Sequence, residues 1–258
     1  MHPPSATAFD AFSGIASALV YLAVGFGAFA HRPRDARTNV FLVVALASVT
    51  PYVLPAALGR LGSGRMLSAA TVATAVSLAV GSAALFHFTQ VFPLRRPWIR
   101  AHGPWLFAAY AVLPLAALAG AWVLLPIFRM MSDAATPDTT GDVSGMGLLG
   151  SLVLLIVLVP TIFAAGIVLP FGGLLSLYKS WQEAKTGGRD GARVTTLAIL
   201  ISQLAGGVLT ILVVPLLHLV APAGPWVTMA SGLLFGVGLL MPLAFAMGVW
   251  RYGLVSSE

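Results

Sequence analysis

The sequence predicts an all-α fold, a single domain over residues 1–258 that crosses a membrane seven times, with its N-terminus outside and its C-terminus in the cytoplasm. Three observations predict it: a shortage of charge, seven long apolar stretches, and a lopsided distribution of Lys and Arg among the gaps between them.

Of the 258 residues, 59% are hydrophobic and only 9% charged, against about 25% charged in a soluble domain. A surface so poor in charge cannot lie mostly in water. The formal net charge of +6 does not indicate nucleic acid, because the basic residues sit in short gaps between apolar runs and form no phosphate-binding face. The chain has no cysteine, which excludes disulfides, thiolate metal sites and cysteine nucleophiles. Residues 1–10 contain no Lys or Arg, so the first apolar stretch lacks the positive leader of a cleaved signal peptide and reads as a retained span.

A spanning helix needs roughly 20 mostly apolar residues. Seven stretches meet this, at about 9–30, 39–58, 67–92, 105–127, 147–178, 195–220 and 226–250. The fifth is long and holds Pro160 and Pro170, which predict a kink or a tilt. The longest gaps, 128–146 and 179–194, are expected to be loops and are too short for a folded domain. With the N-terminus outside, the cytoplasmic gaps hold Arg32, Arg34, Arg37, Arg95, Arg96, Arg100, Lys179, Lys185, Arg189, Arg193 and Arg251, eleven of the 14 basic residues. The outer gaps hold Arg60, Arg65 and Arg129. Such an excess over short loops is the positive-inside signal. Asp133, Asp138 and Asp142 share one outer gap, but acidic residues set orientation only weakly. Trp98, Trp105, Trp181, Trp226 and Trp250 fall at or just beyond span ends, Trp122 within about two turns of one, and Tyr252 directly after the last. Their placement reads as interfacial anchoring.

Chemistry inside a membrane bundle usually announces itself as ionisable residues at membrane depth. No Asp, Glu, Lys or Arg lies in the middle of any stretch, and Asp10 sits at the outer edge of the first. That disfavours a proton-coupled transporter, and the seventh stretch has no lysine for a retinal Schiff base. The candidate polar residues within the bundle are His87, Gln90, Gln203 and His218. His87 and Gln90 are three apart, which predicts one shared helix face and a packing contact with a neighbour. A ligand-binding or proton-switch role for His87 is the alternative. Gln203 reads as interhelical glue and His218 as a solvated interface histidine. The five histidines are scattered, so no metal site is expected, nor any cofactor. No acid, base or nucleophile cluster suggests an enzyme. The pair Gly187-Gly188 reads as a flexible loop. Gly232 and Gly236, four apart, permit close helix approach. Packing within the bundle is the first reading of them and homodimerisation the second.

Three segments carry a family resemblance. Arg37-Thr38-Asn39-Val40-Phe41 opens the second stretch, Phe86-His87-Phe88-Thr89-Gln90-Val91-Phe92-Pro93 closes the third, and Met241-Pro242-Leu243-Ala244-Phe245 leads through Trp250-Arg251-Tyr252-Gly253-Leu254 out of the last. In order and placement they resemble the N-terminal seven-transmembrane region of bacterial sensor histidine kinases and related signalling proteins, over nearly the whole chain. That family region precedes a cytoplasmic output module, whereas this chain ends at Glu258. The resemblance therefore implies a multi-pass protein of the bacterial inner membrane, not itself an enzyme. It would relay a stimulus through the helix bundle to a separate cytoplasmic kinase or other output protein. A transporter or permease component for a neutral or apolar solute, or a structural subunit of a membrane complex, are the alternatives.

Overall fold

The computed structural model describes residues 4–59, 64–93, 103–134, 163–220 and 225–254, together with Ile156 and Pro160. Among these residues every regular element is helical. The first four are α1 (Pro4–His31), α2 (Ala36–Gly59), α3 (Gly64–Val91) and α4 (Gly103–Ala134). A π turn, Ala164–Val168, leads into α5 (Leu169–Thr186). Helix α6 (Asp190–Val208) runs through a second π turn, Leu209–Val213, into Val214–Val220. Helix α7 (Pro225–Ala246) ends in a third π turn, Met247–Arg251. Most of the expected fifth stretch before Phe163, and with it Asp138 and Asp142, lies outside the described residues.

Among the described residues five helical segments are long and apolar enough to cross a membrane: Ser13–His31, Val72–Val91, Gly103–Gly120, Asp190–Val208 and Gly232–Arg251. Helix α2 adds a shorter apolar stretch, Ala36–Thr50. The side-chain distribution has the same character. On α6 the residues turned outward are Val194, Leu197, Ile201, Leu204 and Val208, while Thr195, Thr196, Ile199 and Ser202 are buried. On α5 Phe171, Leu175 and Tyr178 are exposed, while Gly173, Ser176 and Ser180 are buried. A water-soluble helix does the reverse, placing its apolar stripe inward. Small and hydroxyl-bearing residues inside with aliphatic ones outside is the membrane pattern, because apolar surface gains nothing by leaving lipid.

One π turn is tied to a proline. Pro170 lacks an N–H, and its ring crowds the carbonyl four residues back. That carbonyl belongs to Gly166, which lies inside the π turn Ala164–Val168. The wider turn makes the room the ring needs. The irregularity expected at Pro170 takes this form.

The connections at one end are short and tightly bonded. Asp35 Oδ1 accepts the Arg37 N–H at 2.7 Å, capping α2, and the Thr38 hydroxyl lies 2.7 Å from the Arg32 carbonyl and 2.9 Å from that of Asp35. The loop expected over 179–194, with a flexible glycine pair, is instead almost all helix. Helix α5 continues to Thr186 and α6 starts at Asp190. Gly188 takes φ +65° and lets the Arg189 N–H reach the Ala184 carbonyl at 3.0 Å. This is a Schellman cap, which glycine adopts without the steric cost of a Cβ. From Ser176 to Thr186 is ten residues, so the α5–α6 hairpin rises about 15 Å past the level of Ser176.

Helix α1 packs on α2 and α7, α2 on α3, α3 on α5, α5 on α6, and α6 on α7, closing a ring of six. Helix α4 packs on α3, where Leu113 and Ala117 meet Ala79 and Ala83. Small residues set the separations. A Cβ built on Gly25 would lie 3.0 Å from the Ala45 Cβ, one on Gly172 2.9 Å from Phe86 Cε2, and one on Gly248 2.7 Å from Phe92 Cζ. Gly236 departs from its first reading: it is exposed, and a Cβ there would meet nothing within 4 Å.

These distances separate two glycines of the same helix rod. Gly248→Val is expected to cost about 1–3 kcal/mol through overpacking against Phe92, while Gly236→Val stays within about 0.5 kcal/mol of the parent. Thermal unfolding of the purified protein in detergent reads the difference, and equal shifts would contradict the packing described.

Candidate functional site

The basic end of the bundle is where α1, α3, α5 and α7 finish and α2, α4 and α6 begin. Among the described residues it carries Arg32, Arg34, Arg37, Lys179, Lys185, Arg189, Arg193 and Arg251, against Asp35, Glu183 and Asp190. Arg193 and Asp190 approach to 3.9 Å, an exposed contact of little energetic weight. Lys185 Nζ sits 5.5 Å from the centre of the Trp181 ring, and the Arg251 guanidinium 5.7 Å from that of Tyr252.

Just inside this end lies an aromatic cluster. Phe41 of α2, Phe88 and Phe92 at the end of α3, and Phe245 of α7 are all fully buried. Phe41 stacks on Phe245 with centroids 4.1 Å apart, and Phe88 sits 5.4 Å from each of them. Phe92 stacks on Phe88 at 5.1 Å and meets Phe245 edge-on, also at 5.1 Å. The contacts of Phe88 and Phe92 have the favoured aromatic separations, and the Phe41–Phe245 stack is closer than these. On the far side Tyr21 of α1 lies parallel to Phe41 at 6.2 Å and donates its hydroxyl to the Gly238 carbonyl at 3.1 Å. One cluster thus joins four helices.

A layer of hydroxyls and amides surrounds the rings. Ser176 Oγ lies 3.1 Å from both the Thr89 carbonyl and Gln90 Oε1, tying α5 to α3. Thr89 donates to the Phe86 carbonyl at 2.7 Å. Ser202 donates to the Val237 carbonyl at 2.8 Å and Gln203 Nε2 to Met241 Sδ at 3.1 Å, tying α6 to α7. Thr195 and Thr196 return their hydroxyls to Gly191 and Ala192 of their own helix at 2.8 and 2.6 Å. Between α3, α5 and α6 a crevice lined by Phe86, Thr89, Pro170, Gly173 and Gln203 is barely larger than a water molecule.

The sequence candidates distribute as follows. His87 turns toward α4, its Nδ1 3.3 Å from the Tyr110 hydroxyl and its ring edge-on to Tyr110, while Gln90 turns toward α5. Three residues advance a helix by about 300°, so a pair so spaced can straddle two grooves. Gln203 faces α7 and borders the crevice. His218 belongs to the helical stretch Val214–Val220, and its side chain lies outside the described residues. Among the described residues no three of His, Asp and Glu converge as metal ligands would. Sequence reasoning passed over Ser176, Ser202 and Tyr110. The first two were visible only as small polar residues recurring on the inward side of α5 and α6.

No protein-family model matches the chain, and neither a curated protein nor a solved structure matches it.

Magnitudes rank the two layers. Ser176→Ala is expected to cost about 0.6 kcal/mol and at most about 1.7, as interhelical hydrogen bonds in membranes do. Phe88→Ala, which empties the centre of the cluster, is expected to cost about 3–5 kcal/mol. Unfolding free energies in mixed micelles measure both, and the reverse order would make the polar layer the principal fastening of this end.

Proposed function

We propose that the chain is a seven-span sensor or signalling subunit of the bacterial inner membrane, with its basic end in the cytoplasm. It relays a change in helix packing to a separate cytoplasmic output protein. The observation that carries the reading is the convergence of the three segments that resemble the sensor-kinase membrane region. Arg37 to Phe41, Phe88 to Phe92 and Phe245 to Leu254 come from three helices, and their phenylalanines Phe41, Phe88, Phe92 and Phe245 form one buried cluster.

Further features support it. The apolar helices and the many exposed aliphatic side chains fit a lipid surround, and the alternating helix directions fit seven crossings. The basic end belongs in the cytoplasm by the positive-inside rule. There the α5–α6 hairpin, carrying Lys185, Arg189 and Arg193, presents a charged surface to a partner. A stimulus acts by favouring one of two bundle packings, which requires different interaction free energies with the two.

Single cysteines introduced into the cysteine-free chain test the reading. In intact cells a membrane-impermeant maleimide is expected to label Asp138→Cys and to spare Arg34→Cys. A photoactivatable crosslinker on Arg34→Cys in inverted membrane vesicles is then expected to capture a kinase, cyclase or response regulator. Labelling of position 34 from outside would overturn the topology. Capture of transport components, together with solute flux in proteoliposomes, would overturn the sensor reading.

A further inference from the structure

Helices α2 and α7 touch at two places on one face of α2. Phe41 stacks on Phe245, and one turn earlier the Arg37 guanidinium donates through Nη1 to the Leu254 carbonyl. Residues four apart lie one above the other on a helix, so the two contacts share a face. Leu254 is where the chain leaves the last helix, and its path is closely defined. The third π turn closes with the Tyr252 N–H on the Met247 carbonyl at 3.1 Å and the Leu254 N–H on the Gly248 carbonyl at 2.9 Å. Gly253 takes φ +57° and turns the chain. The Tyr252 ring lies over Gly191 at the head of α6, where a Cβ would come within 2.7 Å of it.

Arg37 stands in the first turn of α2, where the helix dipole disfavours a cation. What offsets this is the carbonyl of Leu254, three residues past the third π turn. The Asp35 carboxylate is already engaged by the Arg37 N–H, and the Thr38 hydroxyl bonds to the same turn, so the base from which the guanidinium reaches is fixed. A hydrogen bond loses most of its strength within an ångström of extension. A shift or rotation of α2 against α7 that parts Phe41 from Phe245 therefore also breaks the Arg37 contact.

We propose that Arg37 is a latch on the exit segment Tyr252–Leu254: it holds the departing chain against the head of α2, and relative movement of α2 and α7 releases it. As a route for signal output this rests on the sensor reading; as a mechanical statement it does not, and its test involves no partner.

The absence of native cysteine permits a nitroxide label at Val255→Cys, read in the full chain in lipid nanodiscs. With Arg37 present the spectrum is expected to show a predominantly slow component. Arg37→Ala is expected to shift it to the fast component while the thermal unfolding of the bundle stays in place, and Arg37→Lys, which keeps one charged donor, to fall between. An unchanged spectrum in Arg37→Ala overturns the latch and leaves the sensor reading standing; failure to capture an output protein from Arg34→Cys does the converse. Should Arg37→Ala not fold, paired labels at Arg34→Cys and Val255→Cys, in the chain with Arg37 intact and in Arg37→Gln, decide. A narrow distance that broadens in Arg37→Gln supports the latch, and a distribution that is broad with Arg37 intact, or unchanged in Arg37→Gln, overturns it.

Discussion

Phe41 and Phe245 stack at the basic end, and the arrangement of that end is organised around the pair. Phe88 and Phe92 fix α3 against it, Tyr21 extends it to α1, and Gly248 is small because Phe92 lies where its side chain would be. The rings bring together the ends of helices that are distant in sequence, α2 and α7 above all. Their contact also sets the distance over which Arg37 reaches Leu254.

Why aromatic rings fill this role follows from the surround proposed for the bundle. Between apolar helices in lipid, burial of aliphatic surface supplies little, because the tails outside are as apolar as the interior. Association then depends on dispersion, on close approach through small residues, and on polar contacts that have no better partner. All three are present here. Flat rings pack densely, Gly25, Gly172 and Gly248 allow backbones to approach, and Ser176, Ser202 and Gln203 bond across helices. The crevice beside Gln203 holds no more than a water-sized group.

Helical character was legible in the sequence because charge and apolar length are properties of composition. The described helix bounds differ from the expected stretches mostly by a turn or less, with larger extensions at the starts of α1 and α6 and the ends of α4 and α5. Local geometry was harder to read. The Gly187-Gly188 pair looked like slack, but the left-handed conformation of Gly188 makes it a cap, and only the backbone reveals the sign of φ. His87 and Gln90 looked like one face, but which groove each enters depends on where α4 and α5 pack. The short motifs behind the family resemblance gave the aromatic cluster its members without giving its shape. Serines and threonines carry no periodic signal strong enough to stand out among alanines, so the polar layer was missed.

A double-mutant cycle on Phe41 and Phe245 tests the central claim most directly, with each residue replaced by alanine singly and together and unfolding free energy measured in mixed micelles. The account predicts a coupling of about 0.5–1.5 kcal/mol between the two rings, beyond the cost of either truncation. Strict additivity would show that the two helices do not meet through this pair, and the organisation described for the basic end would fall with it.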